Sequence, residues 1–129
     1  MLKPQIEVHA SPEFLPEQSD PGAFVYSFSY NIQIINVGKV LAQLISRHWI
    51  ITDAHGHAEE VRGLGVVGNQ PVLQPGQAFE YTSGCRLRTA TGTMSGTFHF
   101  VTEDGTPFNV PVKRFYLDAS DDQASRVLH

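Results

Sequence analysis

Cysteine is almost absent from this chain of 129 residues: Cys85 stands alone, so no disulfide can close within it. A chain of this size buries roughly two-thirds of the surface its unfolded form exposes, so it needs neither disulfide staples nor a structural metal to fold. A lone thiol also suits a reducing compartment, and the expected location is cytoplasmic. Long hydrophobic runs are missing as well. No window nears the roughly 18 apolar residues that a membrane-spanning helix requires. The opening "MLKPQIEVHASPEFLPEQSDPG" has no continuous apolar core, so neither a signal peptide nor a membrane anchor is expected there. Positive charge is not in excess: the net charge is -4 and the pI is near 5.8. That balance argues against a nucleic-acid binder, which needs a basic patch or stripe. Finally, no stretch of about ten residues carries the 3.6-residue apolar period of an amphipathic helix.

What is present is alternation. In "FVYSFSYNIQI", Phe24, Tyr26, Phe28, Tyr30, Ile32 and Ile34 recur at every second position, as in a half-buried strand. "AQLISRHWIIT" (42–52) is β-branched and aromatic and predicts a second strand, paired with the first through the "NVGK" turn at 36–39. "DAHGH" marks a turn, and "AEEVRG" returns as a short strand. Pro75-Gly76 makes another turn before a strand over Ala78–Ser83. "SGTFHFVTEDG" places Phe98 and Phe100 on one face and closes at Asp104-Gly105. The last strand is "FNVPVKRFYL" (108–117), where Pro111 points to a sheet edge or a bulge, and where the adjacent Lys113 and Arg114 would face opposite ways. About seven short strands with regular turn signals define an all-β, antiparallel β-sandwich. One domain over 1–129 is expected, with an ordered core over about 5–118 and a flexible tail over 119–129.

"GLGVVG" (63–68) spells G-x-G-x-x-G, a pyrophosphate-cradling pattern. That pattern works only between a strand and a helix, whose N-terminus faces the phosphates. Pro71 and Pro75 follow at once and would break such a helix. Two readings remain. Gly63, Gly65 and Gly68 can permit a kinked crossover between the two sheets. Alternatively, their N–H groups can form an anion nest that holds a phosphate, a pyrophosphate or a nucleotide beside Arg62.

Other chemistry-bearing residues are weaker signals. Asp53, His55 and His57 could bind a divalent cation weakly, but H-x-H split across a glycine turn does not aim both rings at one point, and no metal site is expected. His48 and Trp49 would point to opposite faces of their strand. Ser83 and Cys85 lack an elbow or an adjacent base, so no catalytic residue is expected. Glu103 and Asp104 form a hairpin turn rather than a carboxylate pair. Exposed strand edges, by contrast, can accept a partner strand.

Three runs, "SRHWIITDAHG", "EEVRGLGVVGNQPVLQPGQAFEYTSGC" and "GTMSGTFHFVTEDGTPFNVPVKRFYL", resemble the ApaG family, with a likeness from about Ile6 to Leu117. The resemblance implies a fibronectin type III-like, immunoglobulin-like sandwich. The family, also called CorD, takes one name from gene neighbourhood with a diadenosine tetraphosphatase and the other from magnesium and cobalt transport phenotypes. Related domains in some eukaryotic F-box proteins and in a polymerase-interacting protein look like protein-binding modules. The resemblance brings no enzymatic activity and no cofactor. It implies an accessory or interaction module with a protein partner, monomeric or weakly dimeric.

Overall fold

The computed structural model describes residues 3–120; of the tail expected over 119–129, residues 121–129 lie outside them, while Ala119 donates its N–H to the Ala90 carbonyl at 2.8 Å. The chain forms eight strands: β1 (Ile6–Phe14), β2 (Tyr26–Asn36), β3 (Ala42–Asp53), β4 (Ala58–Leu64), β5 (Val72–Leu73), β6 (Ala78–Leu87), β7 (Thr91–Thr102) and β8 (Pro107–Asp118). They build two antiparallel sheets, one ordered β1-β2-β6 and the other β4-β3-β7-β8, with β5 added beside β3. The all-β sandwich expected from alternation is therefore present, with no α-helix among the described residues.

The aromatic alternation of β2 works as expected from Tyr26 onward, with Phe28, Tyr30, Ile32 and Ile34 buried between the sheets. Phe24 departs from it. It sits before the strand in a left-handed conformation, φ 58°, and is exposed. Trp49 of β3 lies at the centre of the core, its ring edge-on to Tyr30, Phe98 and Phe115 at centroid separations of 5.8, 5.5 and 6.1 Å.

The expected hairpin between β2 and β3 is wrong. β2 pairs with β1 and β6, whereas β3 pairs with β4, β5 and β7, so residues 37–41 pass from one sheet to the other. Asn36 makes this passage. It is fully buried, donates from its side-chain amide to the Val40 and Leu73 carbonyls at 2.9 Å each, and accepts the Gly38 N–H at 3.0 Å. With its backbone still paired at the end of β2, its side chain ties down residues 38 and 40 and so directs the chain across rather than back.

β1 was not foreseen; it pairs with β2 along its whole length and packs beside β8 at the opposite margin from β6 and β4. Pro111 behaves as expected, since β8 is an edge strand carrying a bulge. The bulge alters one detail. Between the Met94↔Phe115 and Gly96↔Val112 pairs the register slips, so Lys113 and Arg114 are both exposed instead of facing opposite ways.

Candidate functional site

Gly63 to Gly68 does not cross between the sheets. β4 and β5 both pair with β3, so the segment leaves and rejoins the same sheet, and the chain then enters β5 rather than a helix. Gly63 is an ordinary strand residue whose missing side chain makes room for Arg47; a Cβ there would lie 2.7 Å from the Arg47 guanidinium. Arg47 Nη1 donates to the carbonyls of Leu64, at 3.2 Å, and Gly65, at 3.0 Å. Gly65 has φ 63°, and its N–H donates to the carbonyl of Ile45, the bulged residue of β3. Val66 is buried. Val67 and Gly68, at φ 43° and 82°, form a tight turn closed by reciprocal Val66–Asn69 backbone hydrogen bonds of 2.8 and 2.9 Å. Positive φ at both central residues is the type I′ arrangement.

Arg62 points from the outer face of β4. Its guanidinium lies 3.5 Å from Glu60, whose carboxylate also meets His48 Nε2 at 2.8 Å. The residue that grips this segment is therefore Arg47, which the sequence reading did not single out. Its partners are backbone carbonyl oxygens, which occupy the guanidinium donors that an anion would need.

Asp53, His55 and His57 occupy the β3–β4 turn. The Asp53 carboxylate accepts the N–H groups of His55 (2.9 Å) and His57 (3.0 Å), capping the turn. Desolvation is the largest single effect and acts upward on this carboxyl, but those N–H groups and the nearby imidazoles together outweigh it and hold its pKa below the usual value. Among the described residues, no three His, Cys, Asp or Glu side chains converge as a metal site.

Cys85 and Ser83 lie on the inward side of β6, whereas His99 is on the outer face of the other sheet and bonds Asn109 at 2.8 Å. Among the described residues, no side chain hydrogen-bonds the thiol. Burial, with a contribution from the Glu59 carboxylate, pushes the Cys85 pKa up to about 11, so the thiol is protonated at neutral pH. Glu103 and Asp104 sit in the β7–β8 turn, where Asp104 accepts bonds from the Thr102 hydroxyl and the Thr106 N–H.

The sheet margins differ more than these clusters do. β1 and β8 lie beside each other, and each carries a proline, Pro12 and Pro111, that removes an N–H. β4 is short and bears Glu59, Glu60 and Arg62. β6 alone is long, free of proline and unbroken in its ladder to β2. Asn36 donates its N–H to the Gln77 carbonyl at 2.9 Å, which makes residues 36 and 77 a hydrogen-bonded pair. Antiparallel alternation then turns the N–H and C=O groups of Phe79, Tyr81, Ser83 and Cys85 toward β2. Those of Glu80, Thr82, Gly84 and Arg86 turn outward, and among the described residues they meet no hydrogen-bond partner.

The fold and its margins define a class: a small antiparallel sandwich of the fibronectin type III-like kind, with an open strand edge and no convergent catalytic group among the described residues. Residues 16–102 match the family model described as ApaG domain. Protein ApaG of Acidovorax sp. (strain JS42) is 57% identical over 131 residues, covering 97% of this chain and 96% of the relative. Protein ApaG of Dechloromonas aromatica (strain RCB) is 58% identical over 115 residues, covering 89% and 91%. A crystal structure described as an ApaA protein from Bordetella pertussis superposes with a TM-score of 0.89 at 53% identity, covering 92% of this chain and 96% of that one. The chain belongs to the ApaG family. Among the described residues, no helix is long and apolar enough to cross a membrane.

Proposed function

We propose that this chain is a non-enzymatic protein-interaction module of the cytoplasm, and that it engages its partner by strand addition along β6. The carrying observation is the unpaired outer edge of β6, where Glu80, Thr82, Gly84 and Arg86 present backbone donors and acceptors. Water satisfies these groups in the free chain, and a partner strand satisfies them with directional bonds. Catalysis has no comparable support, because the protonated Cys85 thiol and His99 lie on different faces of different sheets. The association of the family with magnesium and cobalt homeostasis is then indirect and passes through the partner.

A phosphate or nucleotide at Arg62, Gly63, Gly65 and Gly68 is the alternative. It has less support: Arg47 holds carbonyls there, and Arg62 faces Glu60.

Thr82→Pro tests the leading reading. The Thr82 N–H faces away from β2, so proline removes an edge donor without breaking the ladder. A partner captured from lysate by the native chain should be lost with the variant while circular dichroism stays native. No specific partner, or one retained equally by the variant, overturns the reading. Saturable amide shifts confined to residues 62–69 on adding pyrophosphate with magnesium would support the alternative instead. A parallel cobalt titration reads His55 and His57.

A further inference from the structure

The two layers have unequal widths. β1 lies beside β8 at one margin, yet the first sheet has three strands and the second has four besides the two-residue β5. β6 therefore lies over β3, where Arg86 and Leu87 of β6 share a cleft with Ile51 and Asp53 of β3, and β4 projects beyond it. The inward residues of β4 show this. Glu59, Val61 and Gly63 stand opposite Ile51, Trp49 and Arg47 of β3 on the same face. Ile51 and Trp49 are buried under the first sheet, whereas Val61 is half-exposed and Glu59 is exposed. A cleft of about 1100 Å³ separates the Ala58–Glu59 end of β4 from Arg86 and Leu87 of β6. A second of about 460 Å³ lies beside Ala78 and Phe79. The outer edge of β6 thus runs above a ledge whose floor is β4, with Asn69–Leu73 closing its Ala78 end.

We propose that this ledge receives a single extended segment of a partner protein, added antiparallel to β6 and of defined charge order; the inference rests on the interaction reading above. Main-chain bonds come from Glu80, Thr82, Gly84 and Arg86. Inward side chains of the incoming strand rest on Val61 and are apolar. Outward side chains lie in line with those of Glu80 and Arg86, which mark the two ends of the slot with opposite charges. An antiparallel segment passes Arg86 first and Glu80 six residues later, so it carries an acidic residue and then, six positions on, a basic one. A folded second copy does not fit, because β6 of that copy would bring its own β3 into the space that β4 fills.

The probe is the capped peptide Thr-Glu-Val-Thr-Val-Thr-Val-Lys-Thr, titrated into the isotopically labelled full chain. Saturable shifts are expected over Ala78–Arg86 and Glu59–Val61, with slowed exchange of the Glu80, Thr82, Gly84 and Arg86 amides. A peptide with Glu and Lys exchanged should bind about fivefold more weakly, the size expected of two cross-strand ion pairs. The E80K/R86E double variant should reverse that preference. Shifts elsewhere, no saturation at millimolar peptide, equal affinity for both peptides, or a concentration-dependent dimer abolished by E80K overturns the proposal. A lysate partner that is lost with Thr82→Pro but indifferent to E80K/R86E would keep the interaction function and discard this segment chemistry.

Discussion

Val67 holds φ at 43°, a region that a β-branched side chain enters only under constraint. The constraint is local: Val66 is pinned in the core, and the Val66–Asn69 bonds close the turn. Val67→Asn should relieve it and raise stability by about 0.5–1 kcal/mol, read as a shifted urea midpoint with an unchanged slope. Gly65→Ala should do the reverse. Its φ is 63°, and a Cβ would lie 2.2 Å from the Asn69 carbonyl oxygen, so a loss of about 2–4 kcal/mol is expected. Gly56→Ala, at φ 86° in open space, should cost only about 1 kcal/mol. At this scale the sequence was half legible. The prolines at 71 and 75 removed the dinucleotide reading of "GLGVVG". The turn at Val67-Gly68 stayed hidden because it lacks the Asn-Gly signature, and the need for Gly63 stayed hidden because Arg47 lies sixteen residues earlier.

Among the elements, strands were readable and their partners were not. The alternation of β2, β7 and β8 follows from burial of one face, which is written locally. Pairing is not: β2 joins β6, with Ile32 opposite Tyr81, whereas the nearest strand in sequence is β3. β1 escaped because Ser11-Pro12 interrupts its apolar positions, and an edge strand survives such an interruption. The sheet passage at Asn36 offers a direct test. Asn36→Ala leaves the buried Leu73 carbonyl, the half-buried Val40 carbonyl and the Gly38 N–H without that partner. A loss of about 2–3 kcal/mol is expected, visible as a lowered thermal midpoint.

For the molecule as a whole, composition argued against membrane-spanning helices and a basic nucleic-acid surface, but it carried no information about sheet widths, which depend on the completed topology. Acid stability is a property of the same scale. Asp53, Asp104 and Asp118 all have carboxyl pKa values held below the usual range. For Asp53, upward desolvation is outweighed by the N–H groups of His57 and His55; for Asp104 and Asp118, the leading causes are side-chain bonds from Thr102 and Ser120. A depressed folded-state pKa stabilises above the unfolded value, and that stabilisation is lost as pH falls through the folded one. The melting temperature should therefore decline below about pH 4. A D53N/D104N/D118N variant should show a shallower decline, measured by calorimetry between acid and neutral pH.

Gly96 faces the indole of Trp49 so closely that a Cβ there would lie 2.7 Å from the ring carbon Cε3. Trp49 is the only tryptophan in the chain. The α protons of Gly96 accordingly lie close to one identifiable ring, whose current should displace their resonance from the usual glycine range. A single well-resolved proton line would then report, without labels or ligand, whether β3 and β7 keep this register in any variant described above.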